Sequence, residues 1–179
     1  GDCQWSTAAN WSSGQVPTPS PTLSVLITNN LNIDSEIEVG SLSIAQNAKV
    51  TVCTQGNLKV YGETTRTSSL GNLYVQNGGQ LHMSDEASLS IADFCMETSV
   101  GGDGIDASAQ VFNVSHIHPQ NAYLDINLDP SGKVKDDQWY GIAVPFTVHL
   151  TGIARKDASG YTSVKDGRDF MVYQYDMDK

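Results

Sequence analysis

The chain has 179 residues, of which 39% are hydrophobic, and 20 acidic against 10 basic residues give a formal net charge of -10 at pH 7. This length suffices for one large domain or two small ones and can bury roughly 70% of the unfolded surface. The acidity argues against nucleic acid or an anionic membrane as a partner, because phosphate binding needs clustered Lys and Arg. The longest apolar runs, Val25–Ile27 and Ile142–Val144, are far too short to cross a bilayer.

The negative charge is concentrated in the first two thirds of the chain. Residues 1–115 carry three bases (Lys49, Lys59 and Arg66) against eleven acids, a balance of -8, and the remainder carries seven bases and nine acids, a balance of -2. We interpret the acids mainly as the groups that keep an extracellular or surface-exposed protein soluble.

The two ends of the chain suggest a longer parent protein. The opening Gly1-Asp-Cys-Gln-Trp5 has neither the basic nor the apolar region of a signal peptide, so we expect it to be a mature or internal start. The closing Tyr175-Asp-Met-Asp-Lys179 follows a strand-like run, so we expect the natural chain to continue.

Two tryptophans stand close together in the irregular opening segment. Trp5 and Trp11 are expected to be buried, because the open end of a stack of strands exposes apolar side chains and strand edges that bulky groups must cover. We predict that they form an N-terminal cap.

The run Trp5-x4-Asn10-Trp11-x2-Gly14-x-Val16-Pro17 resembles the opening of β-solenoid segments in large secreted and surface proteins of bacteria, including adhesin-like and autotransporter-type passengers. The resemblance covers residues 5–91. It implies export and a long parent protein, and such segments occur in adhesins, in carbohydrate-active enzymes and in repeats of unknown role.

Strand-like pairs of apolar residues follow a proline-rich connector that ends at Pro21. Leu23–Ile27 predicts the first strand, and two further apolar pairs follow within residues 31–39. Glu36 and Glu38 share one face of the last of these strands, and a glycosidase needs two carboxylates at a defined separation. The solvated outer face of a strand explains them equally without chemistry, and we favour that interpretation.

A repeating apolar beat organises the centre of the chain. The two apolar residues of each unit stand at i and i+2, on one face of an extended segment, and small polar residues that favour corners separate the units. This periodicity predicts a β-solenoid, in which each coil buries its inner face by stacking on its neighbours. The units recur every eight residues, with one gap of fifteen: Leu42–Ile44, Val50–Val52, Leu58–Val60, Leu73–Val75, Leu81–Met83 and Leu89–Ile91.

The alternative for this region is an antiparallel sandwich of successive hairpins. Hairpin turns favour Asn-Gly or Asp-Gly at most junctions, and Asn77-Gly78 is the one good example, so we favour the solenoid. The long interval from Tyr61 to Asn72 lacks an apolar pair, and we predict a coil with a bulged-out loop there.

The three cysteines are too widely spaced for a zinc or redox motif. Cys53 and Cys95 both follow or end strand-like units, so they could stack on neighbouring coils and form the single disulfide that is possible in an exported protein. Buried, reduced thiols, with Cys3 as the third, are the alternative.

Three further motifs contain residue types that can bind ions or phosphate, and each favours a structural interpretation. Ser99–Asp106 is rich in glycine, and we interpret it as a linker because it lacks a P-loop lysine and any recurrence of a calcium repeat. His116 and His118 share one side of a strand but lack further zinc ligands nearby. The alternation of Asp125, Asn127 and Asp129 is no EF-hand, because Pro130 follows and no glutamate closes the loop.

Residues 122–179 have longer strand-like runs and more aromatic residues, which we interpret as antiparallel. The candidate strands are Ala122–Leu128, Trp139–Phe146, Thr147–Leu150 and Phe170–Tyr175.

The sequence therefore predicts an all-β protein: a single-stranded parallel β-helix-like solenoid with a Trp-rich cap over residues 1–115, then a smaller antiparallel β region over residues 116–179. We expect a non-catalytic structural or adhesive module of a bacterial secreted or cell-surface protein, with a glycan or a host or cell-surface protein as partner and with no catalytic, cofactor or metal site.

The alternative function is a carbohydrate-binding or carbohydrate-active fragment, and a regulatory or assembly domain is a third class. Solenoid grooves can bind glycans through exposed aromatic and acidic side chains. For catalysis, the candidate acids are Glu36 with Glu38 and Asp85 with Glu86, and only long-range folding could bring a base such as Arg66 or His82 to them.

Overall fold

The computed structural model describes residues 2–64, 70–101, 104–128, 154–157 and 160–163. In these residues the chain forms β-strands and two single 3₁₀ turns (Ala8–Asn10 and Val114–His116), with no α-helix, which confirms the all-β prediction. The strands are β1 (Ser20–Ile27), β2 (Leu31–Ile33), β3 (Glu36–Ile44), β4 (Lys49–Val52), β5 (Asn57–Val60), β6 (Asn72–Val75), β7 (Gln80–Met83), β8 (Leu89–Gly101), β9 (Gly104–Ser108), β10 (Gln110–Phe112), β11 (Ile117–Leu128), β12 (Ala154–Asp157) and β13 (Gly160–Ser163).

Successive strands alternate between two parallel sheets. Sheet 1 has the order β1-β3-β5-β7-β10, and sheet 2 has the order β2-β4-β6-β8-β11, with β9 added antiparallel to β8. Every other pairing within the two sheets is parallel. None of the described residues forms a helix that is long and apolar enough to span a membrane.

The apolar residues of each beat form straight rows in the core. In sheet 1, Ile37 pairs with Leu58 and Leu58 with Leu81, and each of these side chains is at most 3% exposed. In sheet 2, Val50 pairs with Leu73. Neighbours within a row are therefore separated by a full pass of the chain through both sheets. Successive apolar units, which recur at the shorter interval of eight residues, lie in different sheets. Residues 56–60 and 71–75, which are nearly identical in sequence and both begin Gly-Asn-Leu, accordingly belong to different sheets, the first to sheet 1 and the second to sheet 2.

Tight turns form the corners between strands. Backbone N–H groups donate to the carbonyl three positions earlier at Ala48 to Ala45, Gly56 to Cys53, Gly79 to Gln76 and Ala87 to Ser84. This i to i+3 bond is the signature of a β-turn, and it lets the chain change sheets within a few residues. The small polar segments of the sequence thus lie at the corners, as expected.

The long interval after β5 contacts both of its neighbours in the stack. Glu63 forms a parallel bridge with Ser88, and Oγ1 of Thr64 lies 3.2 Å from the carbonyl oxygen of Leu42 and 2.8 Å from that of Ser88. The bulged-out loop predicted in this interval falls largely on residues 65–69, outside the described residues.

The N-terminal segment extends sheet 2 at its first strand. Gln4 forms a parallel bridge with Asn32. The N–H of Trp5 donates to the carbonyl oxygen of Asn32 at 3.1 Å, and the N–H of Asn32 donates to the carbonyl oxygen of Cys3 at 2.6 Å. The Trp5 side chain is 2% exposed, as predicted, whereas that of Trp11 is half-buried. The Trp11 ring packs edge-on against Trp5 at 4.7 Å and donates from Nε1 to the Trp5 carbonyl oxygen at 2.7 Å.

The Asp2 carboxylate holds this segment in its fold. It accepts hydrogen bonds from Oγ1 of Thr7 at 2.7 Å, from the N–H of Gln4 at 3.1 Å and from Nδ2 of Asn10 at 3.0 Å. These donors, that of Thr7 foremost, lower the pKa of Asp2 because they favour its charged form.

Two predictions for the later strands are wrong. Ala122–Leu128 belongs to β11, which is parallel to β8, because period-two alternation predicts a strand but carries no information on its direction. Ser99–Asp106 is no linker, since its described residues fall within the antiparallel pair of β8 and β9.

The chain divides into two compact units, Gly1–Gly141 and Ile142–Lys179. In the second unit the structure describes the antiparallel pair β12 and β13. The candidate strands at 139–150 and 170–175 lie outside the described residues. The division into a domain of residues 1–115 and one of residues 116–179 stays a prediction.

Candidate functional site

The outer face of sheet 1 carries aligned polar and aromatic side chains. Because the strands are parallel and in register, outward residues line up across the sheet at about 4.8 Å spacing. One row runs through Glu38, Lys59, His82 and Phe112, and a second runs through Glu36, Asn57, Gln80 and Gln110. We call these two rows, with Tyr61 just after β5, the sheet 1 outer face.

Lys59 joins the two candidate carboxylates. Its Nζ donates to Oε1 of Glu36 at 3.1 Å and to Oε1 of Glu38 at 3.2 Å. The hydrogen bonds to Glu36 and then Glu38 raise the pKa of Lys59. The structure thus confirms that the two acids share a face, but their cation is Lys59, which comes from the neighbouring strand β5.

Tyr61 gives Glu38 a second donor. The phenol donates to Oε1 of Glu38 at 3.2 Å, and partial burial, followed by this hydrogen bond, raises the pKa of Tyr61. The phenol therefore stays protonated at neutral pH. Glu38 is bound on one oxygen by both an ammonium and a phenol.

On the side of Lys59 away from Glu38, the same row ends in two stacked rings, His82 and Phe112. The rings of His82 and Phe112 lie 4.2 Å apart with an interplanar angle of 11°, and Phe112 is 45% exposed. Nε2 of His82 lies 3.4 Å from Oε1 of Gln80, whose Nε2 donates to Oε1 of Gln110 at 3.1 Å. The imidazole is thereby held between a ring and an amide.

A shallow hollow of about 210 Å³ opens between these groups. It is lined by Lys59, Val60, Tyr61, His82, Met83 and Ser84. Oγ of Ser84 donates to the Tyr61 carbonyl oxygen at 2.7 Å and so ties the two walls together. The hollow is smaller than the roughly 300–1,000 Å³ of sites that enclose a drug-sized ligand, so it can hold only part of a larger molecule.

The second candidate pair of acids is not brought to this hollow. Asp85 and Glu86 are exposed at the corner after β7, where Asp85 accepts a hydrogen bond from Nδ2 of Asn113 at 3.2 Å and the N–H of Glu86 donates to Ser84. Arg66 lies outside the described residues.

Cys53 and Cys95 are not linked. Cys53 follows β4 and is a free thiol, while Cys95 lies in β8 with β6 between the two strands. Two strand spacings amount to about 9.6 Å, beyond the roughly 7 Å that a disulfide spans. Burial and the nearby charge of Asp34 raise the pKa of Cys53, which disfavours the reactive thiolate.

The prediction that His116 and His118 share one side of a strand is wrong, because His116 belongs to the 3₁₀ turn Val114–His116 and only His118 lies in β11. Nδ1 of His116 donates to the carbonyl oxygen of Ala87 at 2.8 Å, and His118 is exposed on β11. Asp125 lies in β11 opposite Glu97, and Asp129 is outside the described residues. The described residues contain no group of three or more His, Cys, Asp or Glu side chains that could hold a metal ion.

Sheet 2 has a different outer face. Lys49 lies over the ring of Tyr74, 5.1 Å from its centroid, and Tyr123 is 50% exposed opposite Cys95. Sequence reasoning overlooked Lys59, Tyr61 and Phe112 as site residues. The signal that could have found Lys59 is its outward position between Leu58 and Val60, once every second apolar unit is assigned to the same sheet as the two acids. No comparable repeat marks Tyr61 or Phe112.

The pKa of His82 gives a testable pH dependence. Partial burial, and then the charge of Lys59, lower it below its ordinary value near 6.5, and Glu36 acts weakly in the opposite direction. The folded state therefore binds protons less readily than the unfolded state, so the free energy of unfolding should fall as the pH drops from 7.5 through 6.5 toward 5.

Urea unfolding of wild type and His82→Gln at pH 7.5 and 5.0 measures this effect. The variant should lose less stability over that window, which lies above the range in which Asp2 titrates. NMR titration of the imidazole reports the group directly, and a midpoint at or above 6.5 would contradict the assignment.

Comparison of the chain with known proteins found no match. No protein-family model matches the chain, and no curated protein or solved structure matches it either.

Proposed function

We propose that residues 2–128 form a parallel β-solenoid and act as a non-catalytic structural or adhesive module of a bacterial secreted or cell-surface protein. The observation that carries the proposal is the alternation of strands between two parallel sheets with in-register rows. Each pass through both sheets adds one strand to each, so the chain is built by stacking, and stacking architectures provide extended binding surfaces.

The chemistry of the outer face supports adhesion rather than catalysis. Both carboxylates of the candidate pair bind one ammonium on the outer face, whereas glycosidases place two carboxylates on opposite sides of the scissile bond. The resemblance of the opening motif to β-solenoid segments of surface proteins supports an extracellular or cell-surface location within a longer chain. The proposed partner is a glycan or a host or cell-surface protein.

Retention on cells tests the adhesive role. Beads coated with the chain should stay on mammalian or bacterial cell layers at flow rates that remove albumin-coated beads. Periodate treatment of the cells should abolish retention if the receptor is a glycan, and protease treatment should abolish it if the receptor is a protein. Retention no greater than that of albumin would contradict an adhesive role.

Glycan turnover tests the non-enzyme proposal. Acidic and neutral polysaccharides incubated with the purified chain should yield neither new reducing ends nor unsaturated products, because both candidate carboxylates are bound to the Lys59 ammonium on the outer face. Activity that survives purification and disappears in Glu36→Gln, Glu38→Gln or Arg66→Ala would establish the carbohydrate-active alternative instead.

Carbohydrate binding is the second candidate function. It is favoured by the exposed Phe112 ring, by the half-buried Tyr61 and by the two carboxylates that bind Lys59 at the hollow on sheet 1. Aromatic surface with a few fixed polar groups is the usual composition of a small-molecule site.

A further inference from the structure

We propose that the hollow at Lys59, Tyr61 and His82 is a subsite for one uncharged pyranose ring of a glycan, with the exposed Phe112 ring beside it contacting the adjacent sugar. The inference rests on the carbohydrate-binding candidate function and specifies its site and ligand class.

The size and shape of the hollow set the extent of the ligand. About 210 Å³ is open to solvent between the end of β5, with Lys59 and Tyr61, and the end of β7, with His82 and Ser84. This volume lies below the range of sites that enclose a whole drug-sized molecule. A single ring fits, and the rest of a chain must run over the sheet surface, where Phe112 is 45% exposed.

The unused hydrogen-bonding capacity suits hydroxyl groups. Lys59 uses two of its three N–H donors on Glu36 and Glu38, which leaves one. The Tyr61 oxygen donates to Glu38 and keeps its acceptor capacity, and the described contacts of both carboxylates involve Oε1, which leaves Oε2 as an acceptor. A sugar hydroxyl both donates and accepts, so it can satisfy this mixed set.

Charge decides which sugars fit. Two carboxylates against one ammonium leave a local charge of -1, and the lowered pKa of His82 keeps the imidazole neutral at pH 7. Asp85 and Glu86, exposed at the next corner, add negative charge nearby. Uronic acids and sulfated sugars are therefore repelled, because like charges in a partly desolvated site are unfavourable. A neutral ring meets no such penalty.

Isothermal titration calorimetry with the full chain and four hexasaccharides tests the assignment. The neutral probes are cellohexaose, mannohexaose and maltohexaose, and the acidic probe is hexagalacturonate. At least one neutral probe should bind with a Kd on the order of 1 mM or tighter, about -4 kcal/mol, and the acidic probe should bind at least tenfold more weakly.

Variants locate the binding. Tyr61→Ala and Phe112→Ala should each weaken binding about tenfold or more, whereas Tyr123→Ala, which removes a 50% exposed aromatic ring from sheet 2, should leave it unchanged. If either alanine variant loses thermal stability, Tyr61→Phe and Phe112→Leu replace it, since they keep the packing and remove the hydroxyl or the ring. Sugar addition should also shift the imidazole resonances of His82.

The assignment is overturned if no neutral probe binds at about 10 mM, if the acidic probe binds more tightly than the neutral probes, or if only Tyr123→Ala weakens binding. Cell-bead retention separates this failure from that of the adhesive module. Retention without neutral-sugar binding rejects the subsite alone, and loss of both rejects the adhesive role as well.

Discussion

Replacement of Gly56 by alanine should lower the free energy of unfolding by about 3 kcal/mol or more, an unusually large effect for one added methyl group. A Cβ at this position would lie 2.1 Å from the carbonyl oxygen of Ile33 and 3.1 Å from the backbone nitrogen of Cys53. Both are backbone atoms, that of Ile33 in the preceding pass of the chain and that of Cys53 in the same corner as Gly56, so no side-chain rotation can relieve the contact.

The position of Gly56 explains why the backbone cannot give way. Its N–H donates to the carbonyl oxygen of Cys53 at 2.7 Å, and its own carbonyl oxygen accepts from the N–H of Gln80 at 2.9 Å, so this corner is tied into the stack. Moving the corner to admit a methyl group would break these bonds. Urea unfolding followed by circular dichroism measures the loss.

Gly14→Ala is the matched control. Gly14 has a φ of +67°, and a Cβ there would meet nothing within 4 Å. Alanine should therefore cost only the left-handed backbone penalty of about 1–2 kcal/mol. An insoluble Gly56→Ala beside a folded Gly14→Ala would agree with the prediction, whereas equal stability of the two variants would refute the close contact.

Trp5→Ala should lower the free energy of unfolding by about 3–5 kcal/mol, as for other fully buried large side chains. Trp5 is 2% exposed and lies where the N-terminal segment joins the first strand of sheet 2. The alanine variant leaves a cavity, removes the partner of the Trp11 ring and uncovers the end of the stack. Deletion of residues 1–17 should have at least the same effect and promote aggregation.

Two milder variants show which property of the cap matters. Nε1 of Trp5 is buried with no hydrogen-bond partner in the described residues, so Trp5→Phe should lose buried area alone and cost less than Trp5→Ala. Trp11→Phe removes the bond to the Trp5 carbonyl oxygen, worth about 0.5–1.5 kcal/mol. An unchanged melting temperature after deletion of residues 1–17 would show that the segment is no cap.

Only part of the candidate site could be predicted from the sequence. Glu36 and Glu38 could be placed on one face because two positions along a strand is a local relation. Lys59 could not be assigned to them, because that requires knowing that β5 stacks on β3 and in which register. The ring stack of His82 and Phe112 joins β7 to β10, and strands of sheet 2 lie between these two in the chain, so no local pattern predicts it.

The sequence by itself determined the strands of the repeated apolar units, their inward faces and the corners between them, because each depends on side-chain alternation and turn residues that are close together along the chain. Only the tertiary structure decided that successive beats alternate between sheets, that β11 is parallel to β8, and that Cys53 and Cys95 lie two strands apart. Strand partner, direction and register come from contacts between segments that are distant in the sequence, and the period-two pattern is the same for every such arrangement.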